Sequence, residues 1–220
     1  MSLPLTKAAA GLGAVSGASG LGYLAARNFS SDEDKRPTVS KLFKDQGRTL
    51  LSKGSDEDQW NARWSAYVQE GKNTWNLKDY ETQKSNTNKA PTSFVEKCLS
   101  NAESKVSSIE DSLYSEVVKH CSKEFTVSHF VSQRAGITLL NTASGQDNDG
   151  WNATWKKYLE SNNPWTVNGW VSSSQPTTAP EGFRTQCNSK KDEKILWDKD
   201  DKFLKFVSWC TKSIQQAEKQ

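Results

Sequence analysis

Histidine is almost missing from this sequence, with two residues, His120 and His129, in a chain of 220. No G-x-S-x-G and no H-E-x-x-H occurs. Glycine-rich "GLGAVSGASGLG" has no strand before it and sits in no βαβ context. The usual marks of hydrolytic, zinc-protease and nucleotide chemistry are therefore lacking. The chain is also poor in apolar residues, at 34% with a mean hydropathy of −0.78. It has no excess of one charge: 29 basic and 26 acidic residues leave +3, with the signs interleaved. A nucleic-acid partner needs a concentrated basic face, so that class is excluded. No cofactor, metal or small-molecule substrate is expected, and the chain reads as a non-enzyme.

Aromatic residues are plentiful: nine Trp, eight Phe and five Tyr. Each buried ring removes roughly 150–250 Å² from water, so a few can anchor a small core. There are four cysteines. The first 27 residues differ from the rest, because "AAAGLGAVSGASGLGYLAA", residues 8–26, is uncharged and lies between Lys7 and Arg27. That run just reaches the roughly 20 residues needed to cross a bilayer as a helix. Three readings fit it: an uncleaved membrane anchor, a cleaved signal peptide with a weak site near Ala25, or a Gly/Ala-rich tail. The anchor reading is adopted, with residues 28–37 as a linker. Charge does not orient it, since Lys7 stands on one side and Arg27, Lys35 and Arg36 on the other.

The remainder is a duplication. "TVSKLFKDQGRTLLS" from Thr38 returns as "TVSHFVSQRAGITLLN" from Thr126, and "DQWNARWSAY" returns as "DGWNATWKKY". Trp75 corresponds to Trp165, Phe94 to Phe183 and Tyr114 to Phe203. A period near 90 residues is too long for a solenoid and fits two tandem small domains. These are residues 38–125 and 126–212, with 213–220 as a tail. Each copy has one C-x22-C pair: Cys98 with Cys121, and Cys187 with Cys210. Four cysteines allow three connectivities, and the duplication favours one bridge inside each copy. Bridges imply an oxidising, extracytoplasmic location; two reduced core cysteines per copy are the alternative. A zinc site is disfavoured, because His120 and His129 correspond to Trp209 and Lys41.

Hydrophobic spacing predicts a short helix from Thr38 to Gln46 with a stop at Gly47, and a longer one from Glu57 to Gln69 capped by Ser55 or Asp56. Trp60, Trp64 and Tyr67, and likewise Trp151, Trp155 and Tyr158, fall on one helical stripe and are expected in the cores. The acidic run at 56–58 reads as helix N-terminal charge rather than a calcium loop. The recurrence of Asn61-Ala62 and Asn152-Ala153 has no explanation at this level. Polar stretches, Gly71 to Ser93 and Ser161 to Gly182, read as loops. Trp75, Trp165 and Trp170 lie in them and are the candidates for exposed partner contact. Further helices are expected near Ser93–Lys105, Glu110–Lys123 and Lys199–Gln216, each carrying its cysteine on the apolar stripe.

The opening "KAAAGLGAVSGASGLGYLAA", the stretch "TVSKLFKDQGRTLLS", the W-x-x-x-W-x-x-Y helix and the terminal "SWCTK" resemble the large paralogous families of uncharacterised proteins of haemotropic mycoplasmas. The resemblance spans nearly the whole chain. It implies a small membrane-anchored protein displayed outside a wall-less bacterial cell, a surface antigen or host-contact protein with no catalytic activity. Its family copy is often single, whereas this chain has two in tandem.

Taken together, the expectation is a mainly α protein. An N-terminal transmembrane helix would precede two small helical units, each pinned by one disulfide. It would sit in the cell membrane through residues 8–26, with the bulk extracellular and a host-cell surface or host antibody as partner. A carbohydrate- or peptide-binding module using the loop tryptophans is the alternative.

Overall fold

A computed structural model describes residues 34–171 and 178–214. The expected anchor, residues 8–26, lies outside them, as does most of the 213–220 tail. Among the described residues no helix is long and apolar enough to cross a membrane.

The first copy starts at Thr38, whose hydroxyl accepts from the Lys41 N–H at 3.1 Å and so opens α1, Val39–Asp45. Gly47 follows at φ +72°, a left-handed position where glycine carries no steric penalty. The chain then crosses to pair Leu50 with Ser122 before α2, Glu57–Gln69, carries the tryptophan stripe. A short α3, Tyr80–Gln83, sits within the stretch expected to be loop. Next come α4, Thr92–Ala102, and α5, Ser112–Cys121, the latter capped by Asp111. Strand β1, Phe125–Thr126, leads into the second copy.

That copy repeats the plan. It runs α6, Val127–Gln133; β2, Ile137–Leu139; α7, Asn148–Leu159; α8, Glu181–Lys190; β3, Lys194–Ile195; α9, Asp201–Cys210; and β4, Thr211–Ser213. β1 pairs with β3 and β2 with β4, both antiparallel. In the first copy the same two places are single bridges, Thr38 with Lys105 and Leu50 with Ser122. The last helix is shorter than expected: α9 gives way to β4 after Cys210 and does not run on to Gln216.

Each copy buries its own core. The first cluster runs from Val39 to Cys121 and the second from Val127 to Cys210. Trp64, Tyr67, Trp151, Trp155 and Tyr158 are fully buried, and Trp60 nearly so. Disulfides Cys98–Cys121 and Cys187–Cys210 join α4 to α5 and α8 to α9, with Cα separations of 5.9 and 5.6 Å, inside the usual range. Thr38–Gln220 is one compact unit. Between the copies, the Arg48 guanidinium lies 4.1 Å from the centre of the Trp197 ring.

Candidate functional site

Of the tryptophans expected to face a partner, Trp75 belongs to the first core, and Trp165 and Trp170 pack against the second. Trp75 is 7% exposed, while Trp165 and Trp170 are half-buried against the second core. The cause is a turn held by side chains. The Tyr67 hydroxyl donates to Asn73 Oδ1 at 3.2 Å and accepts from the Trp75 N–H at 2.8 Å. Asn73 also accepts from the Leu77 N–H and donates to its carbonyl. Tyr158, Asn163, Trp165 and Val167 repeat every one of these bonds. Trp75 and Trp165 are thereby folded back over Phe94 and Phe183, stacked at 5.3 and 6.3 Å between ring centres. The sequence signal that could have found this is the spacing N-x-W-x-[LV], present in both copies.

The recurring asparagines also have a reason. Asn61 Oδ1 accepts from the Ala90 N–H, and Asn152 Oδ1 from the Ala179 N–H, each at 2.9 Å. Each ties the returning polar stretch to the tryptophan helix, one residue before the proline that opens α4 or α8. Asp56 holds the N-cap position of α2, but its side chain makes no capping bond. Its carboxylate accepts from the Ser52 N–H at 2.8 Å and meets Lys123 at 2.7 Å. Burial pushes this carboxyl up, but Lys123 and the Ser52 N–H outweigh it and hold it below its ordinary range. Asp147 does the same with Asn141 and Lys212.

His120 breaks the symmetry of the two cores. It is fully buried, edge-on to Tyr67 and Trp75, where the second copy places Trp209 against Tyr158 and Trp165. Glu116 and Glu70 carboxylates lie 3.4 and 3.5 Å from Nε2, which favours protonation, and Lys119 and Arg63 oppose it. Burial dominates and lowers the imidazole to about 4, because both carboxylates are partly solvated and screened. A histidine depressed on folding stabilises fully above its unfolded value of 6.5, and that stability drains as pH falls towards 4. The loss expected over this window is on the order of 3 kcal/mol. Urea unfolding of His120→Phe should show a shallower fall from neutral pH to pH ~4. A variant with the wild-type pH profile would show that another group is responsible.

What distinguishes the copies on their surfaces is two grooves, each open in one copy and plugged in the other. Beside Trp60 and Asn61 the first copy has a 390 Å³ groove lined also by Lys53, Glu57, Lys89 and Val95. Arg184 takes the place of Val95 in the second copy. Its guanidinium bonds to Gln146 O and Asn148 Oδ1 and lies over Trp151. The reverse holds on the other side of the helix. In the first copy Arg63 donates to Ser122 O at 3.1 Å and pairs with Glu124 at 2.8 Å. Gln59 exchanges two bonds with the Glu124 main chain, at 2.7 and 3.0 Å. Gly150 and Thr154 stand at those positions in the second copy, and a 600 Å³ groove opens between α7 and β4.

The Thr154 and Thr211 hydroxyls that line the second groove donate to the Trp151 and Val207 carbonyls. Among the described residues no group of three His, Cys, Asp or Glu side chains could hold a metal. The arrangement suits binding by shape and hydrogen bonding. No family model, curated protein or solved structure matches this chain.

Proposed function

We propose that this is a non-catalytic binding protein of the extracytoplasmic space, held at a membrane by residues 8–26 and presenting two rigid copies for host contact or antigenic display. One observation carries the reading: each core is closed by its own disulfide at the equivalent place, chemistry that persists in an oxidising compartment. The shared scaffold with reciprocal grooves adds support, since the cores are repeated while the surfaces differ. So does the resemblance to haemotropic mycoplasma proteins.

Peptide mapping of native protein without reductant should yield Cys98–Cys121 and Cys187–Cys210 pairs. Protease added to intact cells should remove both copies. Four free thiols, or copies shielded from external protease, would overturn the proposal. The alternative of a carbohydrate- or peptide-binding module is favoured in its peptide half by the open groove on the second copy, not by Trp75, Trp165 or Trp170.

A further inference from the structure

The first copy shows what the groove of the second is shaped to receive. In an antiparallel pair, main-chain groups of alternate residues point towards the partner strand and away from it. Leu140 N–H bonds to Cys210 O and Ile214 N–H bonds to Gly136 O, so Cys210 and Ile214 face β2. By alternation the N–H and C=O of Ser213 and the C=O of Thr211 face the groove. The equivalent groups of the first copy, Ser122 O and both polar groups of Glu124, are all satisfied by Arg63 and Gln59. Gln59 does so with a primary amide, accepting from the Glu124 N–H and donating to its C=O as a neighbouring β-strand would. In the second copy nothing among the described residues takes that place.

We propose that an extended peptide segment of a partner protein adds as a strand to the free edge of β4, in the groove between α7 and β4. This rests on the reading of the chain as a binding protein and names the chemistry of its partner. An uncapped strand edge is a template for a further strand, and added strands bind through their main chain. Side-chain preference follows from the groove walls. Asp149 and Lys157 line it, both exposed and without an ion pair among the described residues, while the Lys212 ammonium is taken by Asp147. Along α7 these two charges are separated by about 12 Å of helix rise. An extended peptide covers that distance in about four residues. The partner segment therefore carries an acidic side chain passing Lys157 and a basic one about four residues away, passing Asp149.

The probe is a phage-displayed library of random short peptides selected against the purified full chain. Selected peptides should pair an acidic and a basic residue at that spacing. Methylating alternate backbone nitrogens of a selected peptide should weaken it by roughly tenfold or more, the loss of one or two main-chain bonds. Thr154→Arg with Ser213→Glu rebuilds the Arg63–Glu124 pair in the second copy and should abolish binding while the thermal transition is kept. Should that variant not fold, Lys157→Glu decides: it should weaken the same peptides and select basic residues where acidic ones stood. The proposal is overturned if no peptide is selected, or if selected peptides bind both variants as well as wild type. It is overturned also if the chain's own residues 215–220 must be removed before anything binds, or if the groove mediates self-association that Thr154→Arg with Ser213→Glu breaks. Because the assay uses purified protein, its failure leaves the extracytoplasmic reading standing. Free thiols in cells would leave the peptide result standing.

Discussion

Trp64→Ala should remove roughly 3–5 kcal/mol from the first copy, the range for deleting a large buried ring. Trp64 has no exposed surface and packs on Tyr67, Tyr80 and Phe94 with ring centres 5.8, 6.0 and 5.3 Å away. Its indole N–H also donates to Asn86 O at 3.0 Å, so it pins the polar stretch as well as filling the core. The counterpart Trp155 is equally buried, but its N–H has no partner among the described residues. A finer expectation follows from that difference. Trp64→Phe should cost about 1 kcal/mol more than Trp155→Phe, the net worth of one hydrogen bond. Denaturant unfolding of the four variants measures both effects. A loss below ~1 kcal/mol for Trp64→Ala would remove the ring from the core that defines the copy. Equal costs for the two Phe variants would show that the Asn86 bond adds nothing.

Opening both disulfides should destabilise the protein by roughly 3 kcal/mol per copy, the loop-closure value for a bridge spanning about two dozen residues. Each bridge has a sequence separation of 23, so the two contributions should be nearly equal. Paired replacement, Cys98→Ala with Cys121→Ala, and Cys187→Ala with Cys210→Ala, separates them and leaves no free thiol to mispair. Since the copies bury separate cores, the effects should add when both pairs are replaced. Strong non-additivity in urea unfolding would mean instead that the copies unfold as one block, coupled through contacts such as Arg48 on Trp197.

Much of this fold was legible wherever a residue acts through its own helix. The tryptophan helix has the bounds its spacing predicts, Glu57–Gln69, because Trp60, Trp64 and Tyr67 share one stripe. The cysteine pairing was legible because the duplication repeats its spacing. Legibility failed where a polar side chain organises distant backbone. Gly71 to Ser93 looks like loop, yet Trp75, Leu77 and Tyr80 are core residues. What orders them is a tyrosine hydroxyl and an asparagine amide, and neither has a hydrophobic period. Asn61 and Asp56 escaped for the same reason: their partners, Ala90 and Lys123, are remote in sequence. The grooves were the least legible feature. They depend on single exchanges, Val95 against Arg184 and Arg63 against Thr154, which look like ordinary surface variation until the two copies are superposed residue by residue.

The grip of Gln59 and Arg63 on residues 122–124 bears on how such chains can grow. That grip holds the segment through which the first copy hands over to the second, so it works as a coupling between successive modules. The second copy lacks it, and its glutamine half is not restored by simple substitution. A Cβ at Gly150 would stand 2.6 Å from the Leu140 side chain, so a glutamine there must first displace a core leucine. The first module is thus gripped at its exit by its own tryptophan helix, and the second is not. A module joined after Ser213 would meet a segment held by β2 and by Asp147 on Lys212, without the grip from the tryptophan helix that the first copy has.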